Sequence, residues 1–92
     1  MVIAKASGIE PLVALARSGN DGQKEEAAGA LRHLAANAEQ RVAIAKAGGV
    51  EPLVVLARSG TDGQKAHAAV AVQSLAFNAE NKVAIANAGY TL

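Results

Sequence analysis

Two histidines are the side chains best suited to metal binding or acid–base chemistry in this chain of 92 residues. His33 and His67 would have to converge to act as a pair. They occupy non-equivalent positions on two equivalent predicted helices, and no carboxylate is placed as a partner, so we interpret both as surface histidines. The chain contains no cysteine, which excludes disulfides and thiolate metal sites.

Two short aspartate-glycine tracts suggest calcium or phosphate as further possibilities. Asp21 and Asp62 each precede a glycine, and residues 19–22 read Gly-Asn-Asp-Gly. Turn and helix-capping chemistry explains these aspartates without calcium. The tract lacks the lysine and the serine or threonine of a phosphate-binding loop. Because no nucleophile, base or metal cluster is found, we predict a non-enzymatic protein without metal or cofactor.

The composition narrows the choice of partners. The chain is 51% hydrophobic and 18% charged, with a net charge of +1 and the two signs interspersed. There is no basic stripe, so we do not expect nucleic acid. No apolar run approaches the roughly 18 residues that span a bilayer, and the first residues lack a signal-peptide pattern. We expect one soluble cytoplasmic or nuclear domain, or a recombinant product, with protein or peptide partners and no membrane partner.

The elements that position these side chains follow from an internal repeat. The motif Gly-x-Glu-Pro-Leu-Val at 8–13 recurs at 49–54, and residues 1–41 match residues 42–82 at 26 of 41 aligned positions. Residues 83–89 begin a third copy. We therefore divide the chain into a repeat at about 1–41, a second at about 42–82 and the start of a third at 83–92. Such short units must stack to share one core.

Each period predicts three helices. Helix one is expected at about Ala38–Ala47 and again at Ala79–Ala88, ended by a left-handed glycine turn, and its first copy is truncated. Helix two opens at Pro11 or Pro52. Helix three follows the polar clusters 20–22 and 61–63, where Thr61 and Gln64 match a capping box. No window shows the alternation of a strand, so the predicted fold class is all-α.

Three segments together resemble the armadillo repeat. They are the corner Ala47-Gly48-Gly49-Val50, the helix-two opening Pro52-Leu53-Val54, and the helix-three stretch Ala30-Leu31-Arg32-His33-Leu34-Ala35. HEAT repeats, the nearest alternative, use two helices and lack this glycine corner. The resemblance implies a right-handed superhelical α-solenoid with three helices per repeat, whose third helices line a concave groove that holds an extended peptide.

Helical spacing and the resemblance together define a candidate peptide groove. Its residues are Glu26, Gly29, His33, Asn37, His67, Val70, Ser74 and Asn78. In the family's nuclear-import adaptors a tryptophan, and an asparagine four residues later, hold the peptide. Here those positions are Gly29 with His33, and Val70 with Ser74, so we do not expect import-type cargo. The sequence is more similar to the divergent armadillo arrays of plants and protists, and a solvated face without a partner is the alternative.

Three further residues stand out near the ends of the third helices. Phe77 replaces Ala36 of the first copy, and we expect it either to fill a gap in the core or to present one hydrophobic anchor, with packing favoured. Asn37 and Asn78 lie between helix three and helix one. Asparagine at such a junction is expected to cap the following helix.

Neither end has the polar outer side of a capping repeat, so we expect self-association through the ends. The candidate residues are Val2, Ile3, Leu12, Val83, Ile85, Tyr90 and Leu92. Head-to-tail stacking, two-fold pairing and exchange of the terminal helix all stay open. The near-identity of the copies and the departing Tyr90-Thr91-Leu92 tail indicate an engineered or excised fragment. A self-associating scaffold is the favoured function, and a peptide-binding groove the alternative.

Overall fold

The computed structural model describes residues 4–91, with side chains described from Gly8 onward. Six helices follow one another along the chain, and no strand occurs within these residues. The helices are α1 (Ala4–Ser18), α2 (Asp21–Leu34), α3 (Ala38–Lys46), α4 (Val50–Ser59), α5 (Asp62–Leu75) and α6 (Ala79–Asn87). The all-α prediction is confirmed.

The helices stack in two layers that repeat along the chain. α1 packs on α2 and α4 packs on α5, while α2 lies along α5 and α1 along α4 between the layers. Each short helix packs on the two helices before it: α3 contacts α1 and α2, and α6 contacts α4 and α5. The resulting slab measures 35 × 31 × 17 Å. This is the predicted α-solenoid arrangement, in which neighbouring repeats share one core.

A single hydrophobic core runs through both layers. Its largest fully buried side chains come from both repeats and from the terminal short helix: Ile9, Leu31, Ile44, Leu53, Leu75, Ile85, Val54 and Val72. Alanines fill much of the remaining interior, which allows the helices to approach closely. On α2, Ala27, Ala28 and Leu31 are buried, whereas Leu34 is half-buried.

The corner between α3 and α4 depends on two glycines. Gly48 has a φ of +81°, the left-handed region that glycine enters at least cost. The amide of Gly48 donates to the carbonyl of Ala45 at 3.0 Å, and that of Gly49 to the carbonyl of Ile44 at 2.9 Å. This pair of bonds is the Schellman motif. Gly49 itself is needed for close approach, because a β-carbon there would lie 2.6 Å from Cγ2 of Ile44.

The first copy lacks this corner. α1 runs as one helix from Ala4 through Gly8 to Ser18, with Pro11 inside it. The prediction of a truncated helix one followed by a separate helix that opens at Pro11 is therefore wrong. Ser7 stands where Gly48 stands in the second copy, and a left-handed conformation is unfavourable for serine, so the helix continues. In the second copy α4 begins at Val50, two residues before Pro52.

Candidate interaction surfaces

Capping boxes fix where the two third helices begin. The amide of Gln64 donates to Oγ1 of Thr61 at 3.3 Å, and the amide of Thr61 donates to Oε1 of Gln64 at 3.0 Å. This confirms the predicted box. Asn20 and Gln23 form the equivalent box in the first repeat, at 2.8 and 3.0 Å. That second box was not predicted, although asparagine in the cap position was the available signal.

The candidate groove residues are divided between the third helices and the loops that follow them. On α2 and α5, Glu26, His33 and Val70 are exposed, whereas Gly29, His67 and Ser74 are partly buried.

Asn37 and Asn78 lie outside the third helices and cap the helices that follow. Oδ1 of Asn37 accepts the amides of Glu39 and Gln40 at 2.8 and 3.1 Å, and Oδ1 of Asn78 accepts the amide of Asn81 at 3.0 Å. Both have extended backbone. The predicted capping role is confirmed for both residues.

Arg32 joins His67 across the boundary between the two repeats. Nη1 of Arg32 lies 3.2 Å from Nδ1 of His67. Because a guanidinium only donates, Nδ1 acts as the acceptor in this contact. A β-carbon at Gly29 would make only ordinary contact with the imidazole, 3.5 Å from its Nε2. The sequence did not predict this contact. In the described part of the chain, no three His, Cys, Asp or Glu side chains are placed to hold a metal ion.

Phe77 is the most exposed large hydrophobic side chain described, at 77%. The interpretation in which it fills a gap in the core is therefore wrong, because its position after α5 turns the side chain outward, as at the equivalent Ala36. The guanidinium carbon of Arg41 lies 5.2 Å from the centre of its ring, within cation–π range. Nε of Arg41 is held by the carbonyl of Ala35 at 2.8 Å.

The candidate end residues take different positions. Val83 is 61% exposed, and Val2, Ile3 and Leu92 lie outside the described residues. Ile85 is fully buried, so its assignment to an exposed end is wrong. It occupies the place that Ile44 holds in the preceding repeat, where helix one packs on the core. Leu12 and Tyr90 are half-buried against the same core.

Positions 41 apart reveal a surface that was not predicted from the sequence. Pro52, Leu56, Gln64 and Ala71 are buried where the second repeat packs on the first. Their equivalents, which we call the leading face, are less covered: Pro11, Leu15, Gln23 and Ala30. Leu56 is 3% exposed and Leu15 is 38% exposed. The periodicity that predicted the fold also contained this signal.

A matching surface lies at the other side of the slab. Lys24, Gly29 and Arg41 of the first repeat, and Val42 at the start of the second, are partly covered by the helices that follow. Their more exposed equivalents, which we call the trailing face, are Lys65, Val70, Lys82 and Val83. Val42 is 39% exposed and Val83 is 61% exposed.

Comparison with protein-family models shows which family the chain resembles. A family model described as armadillo/beta-catenin-like repeat matches residues 1–36 and 37–77. Comparison with curated proteins and with solved structures yields no match. No helix among residues 4–91 is both long and apolar enough to cross a bilayer.

The second matched segment begins at Asn37, the cap of α3, and ends directly after α5. It therefore takes in one complete set of three helices. Armadillo repeats generally serve as non-enzymatic scaffolds that bind other proteins. The chain belongs to the armadillo/beta-catenin-like repeat family.

Proposed function

We propose that this armadillo-repeat protein is an interaction scaffold that associates with copies of itself through its exposed repeat ends. The observation that carries the proposal is the pairing of equivalents: side chains buried between the repeats recur as more exposed side chains on the leading face. Because the two repeats are nearly identical, the leading face of one copy resembles the face of the second repeat that packs on the first repeat within each chain. That near-identity also supports an engineered origin.

Exposed apolar area supplies the driving force. Leu15 and Val83 are at opposite faces, and each is more exposed than its equivalent inside the stack. Burying apolar surface is worth about 25 cal/mol per Å². Covering the exposed apolar side chains at each face therefore favours contact, while the free energy lost on association limits its strength.

Sedimentation velocity over a wide range of protein concentration tests the proposal. We expect the mean mass to rise above that of one chain as concentration increases. Leu15→Glu, on the leading face, should shift this rise to higher concentration. Val55→Glu is the matched control, because Val55 is also apolar and 54% exposed but lies on the side of α4 toward the first repeat, beside Arg17 and Lys24. A single monomeric species at every concentration would refute self-association.

A peptide-binding groove is the second candidate function. The Arg32–His67 contact supports it, because an exposed guanidinium is fixed beside partly buried groove positions. The exposed His33 lies on the same helix as Arg32. An extended acidic peptide suits these donors.

Fluorescence anisotropy with a labelled oligo-glutamate peptide tests the groove. Ser74→Arg should change the affinity of a peptide bound there, because Ser74 is a partly buried groove residue on α5. Val55→Glu provides a control outside the candidate groove. Absence of saturable peptide binding by the wild-type chain would count against this function.

A further inference from the structure

We infer that a second copy docks its leading face on the trailing face in the same register in which the two repeats stack within the chain. This inference rests on the proposed self-association and specifies its geometry. The contact is heterologous, since different surfaces of the two copies meet.

The side chain of Gln64 helps to set the register of the two repeats inside the chain. Nε2 of Gln64 donates to the main-chain carbonyl of Asp21 in the preceding repeat at 2.9 Å, and Gln64 is only 2% exposed. Its Oε1 is used in the capping box with Thr61, which holds the amide in place. A one-residue slip would leave a buried amide without this acceptor.

Gln23 presents the same group on the leading face. Its Oε1 accepts the amide of Asn20 at 3.0 Å, the same capping contact that orients Gln64. Gln23 is exposed. The acceptor equivalent to the carbonyl of Asp21 is the carbonyl of Asp62, one repeat further on. In the inferred register, Nε2 of Gln23 in one copy donates to the carbonyl of Asp62 in another.

Apolar contacts fit the same register. Pro52 and Leu56 are buried where α4 lies along α1, so Pro11 and Leu15 of a second copy would be covered by α4 in the same way. Gly63 approaches the first repeat closely, because a β-carbon there would meet the carboxyl group of Glu25. The equivalent pair between copies is Gly22 and Ala66, which leaves more room.

The register requires one local adjustment. Residues 83–91 of one copy correspond to residues 1–9 of the next. α6 is a separate helix that packs on α4 and α5, whereas α1 is one continuous helix through Gly8, so these segments diverge up to Gly89. Tyr90 and Thr91 correspond to Gly8 and Ile9 and must turn aside. This displacement weakens the association without changing which faces meet.

Gln23→Glu is the first test. A glutamate keeps the capping acceptor and suits a helix N-terminus, so the fold is retained. It removes the donor and places a carboxylate against a carbonyl, and we expect an association about tenfold weaker. Asn20→Asp is the matched control: it makes the same charge change at the same helix start, and its equivalent Thr61 stays exposed in the stack. Equal weakening by both variants, or by neither, would overturn the register.

Cross-linking gives an independent test, helped by the absence of native cysteine. We expect a short bismaleimide to join Ala66→Cys to Gly22→Cys when the two single variants are mixed. Glu25→Cys with Gly63→Cys in one chain is the positive control for the same geometry.

The outcomes separate this inference from the proposed function. If the wild-type chain associates but the mixed variants do not cross-link, the register is wrong and self-association stands. Cross-linking of Gly22→Cys to itself would instead indicate a two-fold contact and overturn the register. A wild-type chain that is monomeric at all concentrations overturns both.

Discussion

Gly48 supplies the backbone conformation that separates α3 from α4. Its φ of +81° recurs at Gly89 with a φ of +89°, at the end of α6. Where the first copy has Ser7 in this position, the helix runs on without a corner. A single residue type therefore decides whether one helix or two is formed.

Gly48→Ala should lower the free energy of unfolding by about 1–2 kcal/mol, because the left-handed conformation is strained for any residue with a β-carbon. Urea denaturation measures the change. Gly22→Ala is the control, since a β-carbon at Gly22 meets only ordinary contact, 3.6 Å from Oδ1 of Asn20. That control should be neutral or slightly stabilising. Similar losses in the two variants would contradict the strain argument.

Phe77→Ala should change the free energy of unfolding by about 0.5 kcal/mol or less, because the ring is 77% exposed and contributes mainly its contact with Arg41. Leu75→Ala, two residues earlier, removes a fully buried side chain. It should cost roughly 2–5 kcal/mol. Thermal or urea unfolding compares the two, and a large loss for Phe77→Ala would mean that the ring is packed in solution.

At the scale of helices, most of the fold was predictable because the signals are local. Helix one at Ala38–Lys46, the glycine corner and the Thr61–Gln64 box all follow from residues close in sequence. The continuous α1 was not predicted, because the motif at 8–13 matches the motif at 49–54 in the second copy. The difference that matters is at position 7, where serine replaces the glycine equivalent to Gly48. Ile85 was misplaced because its burial depends on packing against α4 and α5.

Thr61→Val tests the capping of α5. Valine has nearly the same shape but removes the oxygen that accepts the amide of Gln64, so we expect a loss of about 1 kcal/mol in unfolding free energy. Thr91→Val is the control, because Thr91 is exposed and lies outside the helices. If both variants had the same stability as wild type, the capping contact would contribute nothing measurable.

At the scale of the whole molecule, two repeats give a slab only 17 Å thick in its shortest dimension. Such a molecule buries a limited share of its surface, and small domains are correspondingly marginal. The leading and trailing faces therefore matter for stability as well as for the proposed association. The side chains of these faces could not be predicted from the sequence alone. Gln23 and Leu15 are recognised only because their equivalents, Gln64 and Leu56, are buried between the repeats.

The melting temperature should rise with protein concentration, because association that favours the folded state stabilises it by mass action. Calorimetry at low and high concentration measures this shift. The shift should be smaller in Leu15→Glu than in Val55→Glu. A melting temperature independent of concentration in the wild-type chain would show that folding and association are not linked.

The side-chain amide of Gln64 makes two different contacts, one through its oxygen and one through its nitrogen. Its Oε1 accepts the amide of Thr61 at the start of α5, and its Nε2 donates to the main-chain carbonyl of Asp21 in the neighbouring repeat. Fraying of α5 at its start therefore releases the neighbour, and separation of the repeats exposes the helix start to solvent. This amide couples local unwinding of α5 to the separation of the layers, and it therefore contributes to cooperativity between the repeats.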